Sequence, residues 1–163
     1  QCVGLAEKLG LTPAVKRVSP RFPWSILPPQ LWIKPFSALG SAGDVLAPPW
    51  PDILIATGRQ TVALALAIKE ANPSTLTVQI QNPAVDLKRF DVIIAPAHDR
   101  LAGNNVVSPV GALHGVSPQK LDEAGLTFAS RYANHKKPLI GVLIGGTNKK
   151  SARKAGSVRL DMP

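Results

Sequence analysis

The chain has 163 residues, 45% of them hydrophobic and 5% aromatic, with a formal net charge of +9. Its core must therefore be aliphatic, and Val, Ile and Leu in short runs favour a buried parallel sheet over a sandwich. No apolar stretch reaches the roughly 18 residues that span a bilayer, no signal-peptide pattern opens the chain, and Cys2 as sole cysteine excludes an internal disulfide and a thiolate metal cluster.

Gln1 to Gly10 reads as a helix with Val3, Leu5, Ala6 and Leu9 inward and Gly10 as its stop. No capping residue precedes Gln1, so a segment upstream is expected. Ala14 to Val18 is a candidate strand whose burial Lys16 and Arg17 limit. Residues 19–51 hold eight prolines and all three tryptophans, Trp24, Trp32 and Trp50. Proline removes backbone donors, so a long connection is expected there, with one short helical piece around Pro29 to Phe36. The tryptophans either dock on the core or form an exposed apolar patch.

Ile53 to Ala56 is a short apolar run between Pro51 and Gly58, predicting a strand buried on both faces. Val62 to Ala71 contains mostly strong helix formers. Strand, glycine turn and helix together aim free backbone N–H groups at a ligand, and Arg59 adds a charged fork. Gly58, Arg59, Gln60 and Thr61 are thus the first candidate binding residues. Leu76 to Gln81 alternates apolar and polar, predicting a strand with one less-buried face. Asp91 to Ala95 and Asn105 to Ser108 are two further strands. Ser117 as N-cap and Pro118 at the first position open a helix running towards Tyr132. Leu139 to Ile144 is a last strand. The elements define an α/β chain with a Rossmann-like open, mainly parallel sheet and right-handed crossovers.

In such sheets ligands bind beyond the carboxyl ends of the strands. His98 and Asp99 follow one strand there and form a candidate acid–base pair. Asn105, Gly111 and His114 accompany the next strand as candidate substrate contacts. Gly145, Gly146, Thr147 and Asn148, followed by two lysines, suit a phosphate. The spacing of His98, His114 and His135 fits no metal site, and no cofactor is expected. The basic residues cluster at Lys16, Arg17 and Arg21, at Lys136 and Lys137, and from Lys149 to Arg159. No aromatics interleave with them, and no helix-turn-helix or zinc-finger spacing is present, so no nucleic-acid partner is expected. Phosphate-bearing ligands, an anionic membrane surface or plain solvation remain as their use.

Pro51-Asp-Ile-Leu-Ile-Ala-Thr-Gly-Arg-Gln-Thr61, Val78-Gln-Ile-Gln-Asn-Pro83, Phe90-Asp-Val-Ile-Ile-Ala-Pro-Ala-His-Asp99, Asn104-Asn-Val-Val-Ser-Pro-Val-Gly-Ala-Leu-His114 and Leu143-Ile-Gly-Gly146 form a linked set. The set resembles the plant mitochondrial-fission family called "elongated mitochondria", whose bacterial relatives are assigned as glycosyltransferases and also as nucleoside-diphosphate-sugar epimerases. The resemblance implies a two-domain architecture of the GT-B type. Residues 1–135 would be the N-terminal, acceptor-side domain lacking its first strand. Residues 136–163 would be the crossing segment and the first strand of a largely absent C-terminal domain. It further implies a nucleotide-diphospho-sugar donor held by Gly145 to Asn148, and a lipid-linked or envelope saccharide acceptor. The expected location is the cytoplasm, with peripheral contact at the inner face of the membrane. A non-catalytic adaptor is the alternative. An epimerase is the third: Tyr132 and Lys136 have the required spacing, but the glycine fingerprint is missing.

Overall fold

The computed structural model describes residues 1–111 and 113–141. A first compact unit comprises Gln1–Pro118, and a second begins at Gln119. The first unit is built on a parallel sheet of four strands among the described residues: β1 (Ile53–Thr57), β2 (Leu76–Ile80), β3 (Val92–Ile94) and β4 (Val106–Val107), ordered β1-β2-β3-β4. This is the expected Rossmann-like α/β arrangement. Ile53 pairs with Leu76, Val78 with Val92, and Ile93 with Val106. Only the β1–β2 crossover contains an α-helix, α2 (Val62–Ala71); the other two crossovers are loops with short 3-10 turns.

Burial within the sheet differs from the sequence expectation in two places. β1 was expected to be buried on both faces, but only Ala56 is buried, because β1 is the edge of the described sheet. β2 was expected to have a wetter face, yet Thr77 and Gln79 are both 0% exposed. β2 is internal, with β1 and β3 on either side and α2 above it, so its polar residues must be satisfied in the interior. Asp91 does this for Thr77, accepting from its amide and its hydroxyl, both at 2.7 Å. Lys69 of α2 closes the cluster at 2.9 Å from the same carboxylate and donates to the Thr75 carbonyl at 2.8 Å.

From Val62 to Ile68 α2 is apolar on opposite sides because it is covered on both. Val62, Ala65 and Leu66 pack with Ala56, Phe90, Ile93 and Ala95. Ala63 and Leu64 face the opposite way, onto Trp32 and Ala38 with Trp24, Leu27 and Phe36 beside them. The proline-rich arm is therefore a layer laid over α2, and the tryptophans dock rather than form an open patch. Phe36 stacks on Trp50 at 5.3 Å, and the Trp32 indole donates to the Leu27 carbonyl at 3.3 Å. The expected helical piece is two 3-10 turns, Pro29–Leu31 and Pro35–Ala38, separated at Lys34, whose φ is +52°.

Ala14 to Val18 forms no strand. Arg17 instead exchanges bonds with Asp44, whose carboxylate accepts from the Arg17 amide at 2.6 Å. α1 (Cys2–Lys8) ends as expected, with Gly10 at φ +73° and the amides of Gly10 and Leu11 donating to Glu7 and Ala6. Its buried face is only partly the expected one: Ala6 is buried and Leu5 half-buried, but Gly4 is buried as well while Val3 and Leu9 are exposed. The cause is close docking: a Cβ on Gly4 would come within 2.9 Å of the Gly115 amide nitrogen. α3 spans Pro118–Tyr132, as predicted, with all but its first residue in the second unit, and buries none of its residues. Of the expected strand Leu139 to Ile144, residues 139–141 have no regular structure, and 142–144 lie outside the described residues.

Candidate functional site

β1 delivers the chain to the carboxyl edge of the sheet, where Gly58 takes φ +87° and ψ 163°. Only glycine occupies that region without strain. The turn is locked from within, because the Thr61 hydroxyl is 3.1 Å from the Thr57 carbonyl and 2.8 Å from that of Gly58. Residues 59–61 wind into a 3-10 turn that runs directly into α2. The first amides of such an entry have no partner within the helix and face outward from its start.

The side chains of this turn hold the proline-rich arm. Arg59 donates to the Ile26 carbonyl at 3.2 Å, and Gln60 to that of Ser25 at 3.4 Å. One strand further on, the Gln30 side chain donates to the Ala84 carbonyl. Residues 25–30 therefore run along the carboxyl edge beside the turns that follow β1 and β2. Gln1 comes to the same edge, with Oε1 3.4 Å from the Thr57 hydroxyl. Burial pushes the neighbouring Cys2 thiol up.

Sequence reasoning missed one group here. The Gln79 amide lies fully buried beneath the turn, its Nε2 3.1 Å from the Ile80 carbonyl and 3.5 Å from that of Gly58. Its Oε1 has no hydrogen-bond partner. A polar residue inside a strand of otherwise buried character is the only signal that could have found it.

His98 and Asp99 lie on a 3-10 turn after β3, with Nε2 3.5 Å from the carboxylate. The imidazole is 81% exposed. Two strand spacings separate the ends of β1 and β3, about 10 Å, which a ligand of sugar size can bridge. Gly111 is exposed and touches nothing that a Cβ would meet. His114 is exposed too, its Nδ1 accepting from the Val116 amide at 3.3 Å.

Asn105 belongs elsewhere. It precedes β4, at the amino edge of the sheet, and donates to the carbonyls of Leu87 and Phe90 at 2.8 Å each. It fixes the approach to β3 and is not part of the carboxyl-edge group. A shallow cleft beside it is lined by Asp86, Lys88, Phe90 and Asn104. Gly145, Gly146, Thr147 and Asn148 lie outside the described residues. Among the described residues no group of His, Cys, Asp and Glu is placed to hold a metal, and no helix is long and apolar enough to cross a membrane.

Parallel sheet, strand-turn-helix unit and carboxyl-edge turn define a Rossmann-like α/β domain. A family model described as "Mitochondrial fission ELM1" matches residues 1–159, and the chain belongs to that family. It is similar to the mitochondrial fission protein ELM1 of Arabidopsis thaliana, 32% identical over 119 residues, covering 58% of this chain and 28% of the relative. It is also similar to the uncharacterized protein RP120 of Rickettsia prowazekii, 29% identical over 132 residues, covering 61% of this chain and 37% of that protein. The chain thus spans well under half the length of these relatives. No solved structure matches it.

Proposed function

We propose that this chain is the acceptor-side part of a glycosyltransferase of the GT-B type, which moves a sugar from a nucleotide-diphospho-sugar to a saccharide acceptor. The observation that carries the reading is the Gly58 turn. It is a glycine-dependent entry to α2 at the carboxyl edge, with outward amides, the Arg59 fork and the buried Gln79 amide beneath. Amides and a guanidinium bind the anionic or hydroxyl groups of such an acceptor. His98 or Asp99, across β2 from the turn, is the base that takes the acceptor's proton. Gly145, Gly146, Thr147 and Asn148 contact the donor phosphates in this reading. The donor itself serves as substrate, and no resident cofactor is needed.

Arg59 tests the assignment because its side chain is exposed and its one bond to the fold is to a loop carbonyl. Arg59→Ala in the intact protein is expected to lower nucleoside-diphosphate release about ten-fold, the loss of one charge-assisted contact. Its urea midpoint should stay at the wild-type value. Wild-type turnover in that variant would remove the turn from the site.

A second reading starts from the plant relative, which is named a mitochondrial fission protein: this chain would then be part of a non-catalytic adaptor. The exposed Leu121, Leu126, Phe128 and Tyr132 on α3 suit a protein-binding surface. It predicts no turnover and no effect of Arg59→Ala. The epimerase reading has only the Tyr132 and Lys136 spacing behind it.

A further inference from the structure

Residues 11–40 contain four basic side chains, Lys16, Arg17, Arg21 and Lys34, and no acidic one. All four are exposed, and none is in an ion pair among the described residues. Between them stand exposed apolar side chains: Val15, Phe22 at 75%, Ile26, Leu31 and Ile33 at 79%. These are not a core left open. The inward side of the same segment is already spent on α2, through Trp24, Leu27, Trp32 and Phe36. The arm thus packs one set of side chains on α2 and leaves basic and apolar side chains exposed to solvent, Arg21 lying over the Trp24 ring at 5.3 Å. It is tied to the candidate site by the Arg59–Ile26, Gln60–Ser25 and Gln30–Ala84 bonds.

The charge pattern selects the occupant. Protein interfaces enrich arginine but deplete lysine, and their charged groups face complementary ones on the partner. Single-sign cations interleaved with protruding Phe, Ile and Leu match an anionic bilayer, whose headgroups take the charges and whose interface takes the side chains. We infer that the outer surface of the arm, residues 15–34, docks on an anionic lipid surface and holds the Gly58 turn at its rim. This deepens the transferase reading, because the acceptor would then be a lipid-linked saccharide presented by the bilayer.

The test is cosedimentation of the intact protein with vesicles of phosphatidylcholine alone and of phosphatidylcholine mixed with phosphatidylglycerol, with no nucleotide sugar present. Binding is expected to the mixed vesicles only, and to weaken as salt is raised. Lys16→Gln and Lys34→Gln should each weaken it about five-fold, and the double variant Phe22→Ser with Ile33→Ser should abolish it. Unchanged far-UV circular dichroism serves as the folding control, since all four side chains are exposed. Equal binding by wild type and variants would overturn the proposal. So would no binding to either vesicle by folded wild type, an outcome that gives the surface to a protein partner. Vesicle binding without nucleotide-sugar turnover would keep this proposal and remove the transferase reading.

Discussion

Gly58→Val is expected to lower unfolding free energy by about 2 kcal/mol and acceptor turnover by about a hundred-fold. A Cβ at Gly58 would meet no atom within 4 Å, so the loss does not come from a clash. It comes from the backbone: φ +87° with ψ 163° is a conformation that a β-branched residue cannot hold. The valine chain must rotate away, and the Thr61 hydroxyl then loses its two carbonyl partners. The amides that open α2 move with it. Gly58→Asn should not rescue either property, because asparagine tolerates the left-handed helical region and not this one. Urea unfolding and nucleoside-diphosphate release, measured on both variants, check the two parts separately. A valine variant with wild-type stability would contradict the conformation.

Asp91→Ala is expected to cost about 2–3 kcal/mol. The carboxylate joins three elements, since Lys69 is on α2, Thr77 on β2 and Asp91 itself at the entrance to β3. Removing it leaves the fully buried Thr77 without a partner for its amide and the Lys69 ammonium with the Thr75 carbonyl alone. The pH dependence follows from the same contacts. Burial alone would push the Asp91 carboxyl up, but the Thr77 amide, the Lys69 ammonium and the Thr77 hydroxyl together hold it below its ordinary value. A depressed carboxyl binds its proton less readily in the folded state. Its stabilisation is therefore complete above the unfolded value of about 3.9 and is lost as pH falls through the lower folded value. Asp91→Asn should remove this acid-dependent part, so the gap between variant and wild type narrows as pH drops below about 4. A gap that is constant with pH would mean that the carboxylate is not the clamp.

Local composition made most of the sheet legible. Ile53 to Ala56, Asp91 to Ala95 and Val106 to Val107 are apolar runs between turn residues, and α2 could be read from helix formers after Gly58. The Gly58 turn was legible for the same reason, since glycine between strand and helix has a backbone meaning. Facts that depend on a distant partner were not legible. Thr77 and Gln79 look like a solvent face until Asp91, Lys69 and α2 cover them. Lys16 and Arg17 lie in a β-like stretch whose hydrogen bonds go to the loop at Asp44 instead. Val3 and Leu9 are as apolar as Ala6, but only small residues fit the approach of α1 to Gly115. Asn105 reads as a polar group at the start of its strand, free for a ligand, until the Leu87 and Phe90 carbonyls take both bonds of its amide. The arm's two sides could be told apart only once Ala63 and Leu64 were seen to face outward from the sheet.

The most direct test of the transferase account is a thermal-shift measurement on the intact protein with a panel of nucleotide-diphospho-sugars and the corresponding bare nucleotides. A ligand that binds the folded state must raise the melting temperature. The account predicts a selective rise with one nucleotide class, retained in Arg59→Ala because Arg59 faces the acceptor and not the donor. No rise with any nucleotide, in protein that melts cooperatively, would contradict it and leave the recruiting role as the function of this chain.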